Sequence, residues 1–258
     1  MLPAPRIKAM SGHSKWASIK HKKAVVDARR GQHFTKLTRA ITVAAREGGG
    51  DPEGNPSLAL AIQKAKDASM PKDNIERAIQ KGTGEGVDAD AFETVLYEGY
   101  GPGGVALLIE ALTDNRNRTG ADVRHLLSKH GGNLGEPGSV SYLFDKQGVI
   151  VVDAQRYGED DLIAAIDAGA QDIVQDDDVL EVITAPSELT TVRQALEGAG
   201  VEFESVELTQ RPKSRVPVEE SDAIRLMKLI DALEENDDVG AVHANYDVAA
   251  DVLERIAG

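Results

Sequence analysis

Two stretches of this chain cannot close a core alone, and that constrains its fold more than any other feature. Residues 93–99 and 104–112 are apolar, β-branched runs joined by a Gly-Pro-Gly-Gly turn, a hairpin signal. A helix follows from about Thr119 to His130, with Val123, Leu126 and Leu127 on its inward side. Far downstream, residues 221–235 read as a helix and residues 240–246 as a strand. A hairpin with one helix, or one helix with one strand, leaves much of its apolar surface in water. The two fragments are therefore expected to join as a ββααβ sheet with both helices on one face. Between them, residues 139–208 read as a self-contained ββαββαβ set. It comprises a hairpin turning near Lys146-Gln147-Gly148, a helix at 160–168, strands near 172–175 and 179–185, a helix at 187–199 and a strand at 201–208. This predicts an α+β domain at 135–210 inserted into a discontinuous one made of 83–134 and 211–258.

Ahead of these lies a helical segment. Gly48-Gly49-Gly50 ends a first helix, and Asn55-Pro56 reads as N-cap and first residue of a second, with Leu58, Ile62 and Ala65 on one face. Met70-Pro71 opens a third, with Ile75 and Ile79 inward and Gly82 at its end. The fold class expected is multidomain α+β: a basic flexible arm at 1–23, a three-helix domain at 24–82, then two antiparallel α+β domains. With 41% hydrophobic residues but 4% aromatic, the cores must be built of Leu, Ile, Val and Ala. The chain has no cysteine, which excludes disulfides, thiolate metal sites and cysteine nucleophiles and fits a reducing, cytoplasmic setting. No apolar run approaches the roughly 18 residues of a membrane span, so no membrane partner is expected.

Charge is divided as sharply as structure. Residues 1–46 hold eleven of the 29 Lys/Arg and one of the 43 Asp/Glu, while the remainder carries a surplus of 24 acids. Self-repulsion within a cationic run is unfavourable, whereas a polyanion turns it into attraction and releases condensed counterions. The alternative is a solvated tail. Candidate nucleic-acid contacts are Lys15, Trp16, Lys20, Lys22, Lys23, Arg29, Arg30, Lys36, Arg39 and Arg46. Trp16, the single tryptophan, is placed either to stack on a base or to staple the arm to the domain behind it. At about 100° per residue, Phe34, Leu37, Ile41, Ala44 and Ala45 share one face, and Arg29, Lys36, Arg39 and Arg46 the opposite one. This predicts a helix with its back in a core and a basic stripe outward.

Other motifs carry less chemistry. Gly99-Tyr100-Gly101-Pro102-Gly103-Gly104 matches GxGxxG but leads into a strand rather than a helix, so it reads as a hairpin turn. The six histidines include no i, i+4 pair. Glu93, Glu98, Glu110 and Asp114 are the acids that could meet as a hard-metal site, and strand acids more often alternate into solvent. No nucleophile elbow appears. No catalytic residue, resident metal or cofactor is assigned. A second basic island, Arg116, Arg118, Arg124 and Lys129, surrounds a helix start. If Asn117 or Thr119 caps that helix, Arg116 and Arg118 flank a phosphate seat; otherwise they brace packing through carboxylates.

The stretches GHSKWASIKHKKAVVDARRGQHFTKLTRAITVAAREGGGDPEGNP, MPKDNIERAIQKGTG, YEGYGPGGVALLIE, TDNRNRTGADVRHLLSKHGGNLGEPGSVSYLF and HANYDV closely resemble the YebC/PmpR family of bacterial transcriptional regulators. Relatives of that family include a mitochondrial activator of cytochrome oxidase translation. The resemblance runs from Met10 over nearly the whole chain. It implies a three-domain fold around a cleft and a cytosolic, non-enzymatic protein that binds DNA as a regulator or, in some relatives, acts on ribosomes. Nucleic acid is thus the expected partner, as DNA or, alternatively, ribosomal RNA. A third alternative is a metal-dependent hydrolase built on the carboxylates named above.

Overall fold

The structure, a computed structural model, describes residues 30–84, 92–176 and 179–257. These residues form two compact units, one of residues 145–211, the other of residues 30–144 and 212–257.

The larger unit opens with helices α1 (Arg30–Gly48), α2 (Pro56–Asp67) and α3 (Lys72–Thr83). Gly49 takes a φ of +88° and ends α1, the left-handed position glycine fills without strain. Asn55 caps α2 by accepting from the Leu58 N–H (3.1 Å), and its amide donates back to the Ala44 and Gly49 carbonyls (2.7 and 2.9 Å). One buried side chain thus closes two helix ends. Leu37, Ile41, Ala45, Leu58, Ala65, Ile75 and Ala78 form the core, with Phe34 and Ala44 against it. The apolar side of α1 is the one its periodicity predicts. Gly82 does not end α3; Gly84 does, at φ +83°. A Cβ on Gly82 would lie 2.4 Å from the Thr42 carbonyl oxygen, so this glycine serves the close approach of α3 to α1.

The sheet of the same unit has the order β3-β1-β2-β9. Strands β1 (Glu93–Tyr100) and β2 (Ala106–Thr113) pair antiparallel from Glu93↔Thr113 to Tyr100↔Ala106. The 3-10 turn Pro102–Gly104 joins them, with Gly103 at φ +75°, so the glycine motif is a hairpin turn. Strand β3 (Asn133–Leu134) pairs with β1 in a segment that reads as loop from sequence. Helices α4 (Arg116–Lys129) and α7 (Glu220–Glu234) bury Val123, Leu127, Leu226, Ile230 and Leu233 against Leu107, Ile109 and Val242. Strand β9 (Val239–Ala244) pairs antiparallel with β2, Leu107 facing Ala244, so the late helix–strand segment completes the sheet begun at residue 93. On the other face, Ala106 and Leu108 pack on Val140 and Phe144. A parallel bridge of β8 (Val216–Pro217) with β10 (Tyr246–Asp247), and a last helix α8 (Ala250–Ala257), finish the unit.

The smaller unit is built from β4 (Phe144–Asp153), α5 (Ile163–Asp167), β5 (Asp172–Asp176), β6 (Val179–Thr184), α6 (Leu189–Gly198) and β7 (Ser205–Pro212), in the sheet order β5-β6-β4-β7. This is βαββαβ, a split βαβ arrangement, one strand fewer than the expected ββαββαβ. Lys146-Gln147-Gly148 is not a turn. Gly148 sits in the β4 ladder opposite Thr184, and a Cβ there would lie 2.3 Å from the Thr184 hydroxyl and 2.9 Å from Leu189. A strand glycine here marks close packing rather than a reversal. Residues 141–143 form a 3-10 turn instead of a preceding strand.

Candidate nucleic-acid interface

Helical periodicity puts Lys36 and Arg39 on the side of α1 away from the bundle core. The structure shows what that side meets. Lys36 Nζ donates to the backbone carbonyls of Glu234 and, at 2.8 Å, Val239. Glu234 is the last residue of α7, whose terminal carbonyls lack intrahelical partners and carry the negative end of the helix dipole. Lys36 therefore caps α7 from another element. Arg39 Nη1 donates to the Asp237 carbonyl and to Asp238 Oδ1 (2.7 Å), and its guanidinium lies 5.1 Å from the centre of the Phe92 ring. Arg46, exposed near the end of α1, donates to the Phe92 carbonyl at 2.8 Å. The stripe predicted to face outward thus reaches the α7–β9 turn and the entry to β1. The physical reason is that the carbonyl and carboxylate oxygens gathered in this turn attract cations as a phosphate chain does.

Asp238 is the centre of this arrangement. It is 5% exposed and accepts from Arg39, from Arg118 Nη2 (2.7 Å) and from the Thr119 hydroxyl (2.7 Å). Burial pushes its carboxyl pKa up. The bonds from Arg118 and Thr119 and the positive charges of Arg118 and Arg39 outweigh this and hold it below the ordinary value. Desolvation lowers the Lys36 pKa despite the attraction of Glu234 and Asp237.

The second basic island resolves into two parts. Helix α4 starts earlier than expected: Asn115 is its cap, accepting from the Arg118 N–H at 3.1 Å, rather than Asn117 or Thr119. Arg116 and Arg118 are consequently inside the first turn. Arg116 lies 3.6 Å from Glu93, and Arg118 bonds Asp114 (2.8 Å) and Asp238. They act as braces. Arg124, His125 and Lys129 are exposed along the outer side of α4.

Of the remaining candidates, Lys15, Trp16, Lys20, Lys22, Lys23 and Arg29 lie outside the described residues; Arg30 begins α1, and its side chain is outside them too. The four carboxylates weighed for a metal go separate ways. Glu93 and Asp114 meet Arg116 and Arg118, and Glu110 lies 3.4 Å from His243 Nε2. Glu98, 7% exposed, accepts from the backbone N–H groups of Gly138, Val140 and Ser141 (2.7, 2.7 and 2.8 Å). Burial raises its pKa, but these three bonds outweigh burial and set it below the ordinary glutamate value. Among the described residues no group of three metal-binding side chains is gathered. Sequence reasoning missed Asp238 and the role of Thr119, because Arg39, Arg118 and Thr119 lie 199, 120 and 119 residues from Asp238. The acidic run Glu234-Glu235-Asn236-Asp237-Asp238 was the only signal.

No helix among the described residues is long and apolar enough to cross a membrane. The family model for the TACO1/YebC second and third domain matches residues 92–246, and that for the TACO1/YebC protein N-terminal domain matches residues 14–85. A protein of Rubrobacter xylanophilus called "probable transcriptional regulatory protein" is 57% identical over 250 residues, 96% of this chain and 100% of that one. One of the same description from Persephonella marina is 54% identical over 251 residues, again 96% and 100%. The crystal structure of a conserved hypothetical protein from Aquifex aeolicus superposes with a TM-score of 0.80 at 51% identity, covering 91% of this chain and 97% of that one. The chain belongs to the TACO1/YebC family.

Proposed function

We propose that this protein is a non-enzymatic, cytoplasmic regulator of gene expression that binds nucleic acid, DNA in the first instance, through its basic N-terminal arm. The observation that carries the reading is the charge partition: eleven Lys/Arg against one acid in residues 1–46, in a chain of net charge −14. The relatives' description as probable transcriptional regulatory proteins supports it. Lys15, Lys20, Lys22, Lys23, Arg29 and Arg30 hold phosphates, and Trp16 stacks on a base. Arg46 and the exposed Arg124 and Lys129 add contacts once the strand is engaged. Phosphate contacts position a chain without reading sequence, and no polar recognition helix is evident among the described residues, so the grip is largely backbone-directed. Glu93, Glu98, Glu110 and Asp114 each engage a separate partner and are not gathered into one metal-binding group.

The test is crosslinking in cells followed by sequencing of the bound DNA and RNA. Crosslinks that map to the arm and carry DNA support the reading. Crosslinks to ribosomal RNA through the same residues make that RNA the ligand, and crosslinks that avoid the arm overturn the assignment.

A further inference from the structure

The turn held by Lys36 and Arg39 resembles, chemically, the ligand those cations would otherwise take. Within six residues it presents the carbonyl oxygens of Glu234, Asp237 and Val239 and the carboxylate of Asp238, all bonded to the two side chains. A phosphate backbone offers the same closely spaced anionic oxygens, and one guanidinium or ammonium cannot serve both at full strength.

The way the bundle joins the sheet bears on this independently. The buried core of α1, α2 and α3 is assembled from residues of those three helices and Met70 in the connection between α2 and α3. Several side-chain contacts from α1 to the sheet are polar or cation–π, Lys36 and Arg39 on the α7–β9 turn, Arg46 on the Phe92 carbonyl, Thr94 on Glu47, and Arg39 over the Phe92 ring, around the buried Val43 on the same face of α1. Arg39 and Arg118 retain 18% and 47% exposure, so water and salt reach their pairs with Asp238. Such contacts are individually weak in water, whereas several phosphates gain from counterion release together.

Resting on the nucleic-acid reading above, we infer that the α7–β9 turn centred on Asp238 is an internal competitor for the basic face of α1, so that nucleic acid recruits Lys36 and Arg39 only by displacing it. The free protein holds the two cations on its own turn. A polyanion gripped by the arm reaches the next helical turn and exchanges with the carbonyl cage. Binding is thus self-limited, and anything that loosens the turn strengthens it.

Titrate the full chain with random duplex DNA and with structured RNA at several salt concentrations, alongside Asp238→Asn and Asp238→Asn carrying Lys36→Gln and Arg39→Gln. The inference expects Asp238→Asn to bind about threefold or more tighter at low salt. The slope of log affinity against log salt should steepen by about one for the released Arg39, and by up to about two where loosening of the turn also frees Lys36 from its carbonyls. Adding Lys36→Gln and Arg39→Gln should abolish the gain. Equal or weaker binding by Asp238→Asn overturns the inference, as does a gain that survives the double substitution, which would trace to Arg118 or to net charge. Should Asp238→Asn fail to fold, hydrogen exchange on the unaltered protein decides. Saturating duplex should speed exchange across 234–239, and unchanged or slower exchange there contradicts displacement. Absence of any binding by the unaltered chain at low salt would instead remove the nucleic-acid reading itself.

Discussion

Single residues in this chain carry duties that neither their type nor their neighbours announce. Glu98 is a strand acid by position and a loop organiser by geometry, one carboxylate accepting from three backbone donors within four residues, Gly138, Val140 and Ser141. Its folded-state pKa is depressed, so its stabilisation is present above the unfolded glutamate pKa, near 4.3, and is lost as pH falls through the folded value. Glu98→Gln should cost about 1–3 kcal/mol at neutral pH. It should also flatten the acid side of the stability profile below about pH 4.3. Denaturant midpoints measured from neutral to acid pH check both; an unchanged acid slope would show that Glu98 is not the titrating group. Asp238 gathers two guanidinium groups and a hydroxyl, and its loss should destabilise the larger unit by about 1–3 kcal/mol, less than a fully buried pair, because Arg118 is half in water. Urea unfolding of Asp238→Asn measures this separately from any gain in binding.

At the scale of elements, close approach rather than propensity fixes several positions. Gly82→Ala should lower the melting temperature by several degrees, corresponding to about 1–3 kcal/mol of overpacking, because its Cβ would meet the Thr42 carbonyl at 2.4 Å. Gly198→Ala, at the end of α6 with nothing within 4 Å of the new methyl, should be neutral or slightly stabilising. Elements with local signals were legible in the sequence: the Asn55 cap and the Gly49 stop are one-residue instructions, and the apolar face of α1 follows from spacing alone. Gly148 was misread because a glycine within a strand and a glycine in a turn look alike until Thr184 is seen opposite it. Strands β3, β8 and β10 were missed since two-residue bridges draw their stability from distant partners. Helix α8 was missed because the reading stopped at the preceding strand. The basic stripe was found as a stripe, but its partner turn lies 198 to 203 residues later and leaves no local trace on α1.

For the whole molecule, charge is the organising quantity. Residues 1–46 carry eleven cations and one acid, the rest carries 18 cations and 42 acids, and the α7–β9 turn brings the basic helix and the acidic body together at Asp238. On the proposed function, a body with a surplus of 24 acids would repel the polyanion that the arm attracts, and non-specific binding is expected to be weak and strongly salt-dependent. With Lys36 and Arg39 held internally, the proposed reading leaves six cations from Lys15 to Arg30 to hold phosphates. The measurement that tests this account most directly is the affinity of the full chain for duplex DNA as a function of salt, with and without Lys22→Ala and Lys23→Ala. If about half of the six make contact, the slope of log affinity against log salt is about −3, and the double substitution flattens it by up to about two while weakening specific and random sequences alike. A slope unchanged by the substitution, with binding retained, would contradict the account and move the interface away from the arm.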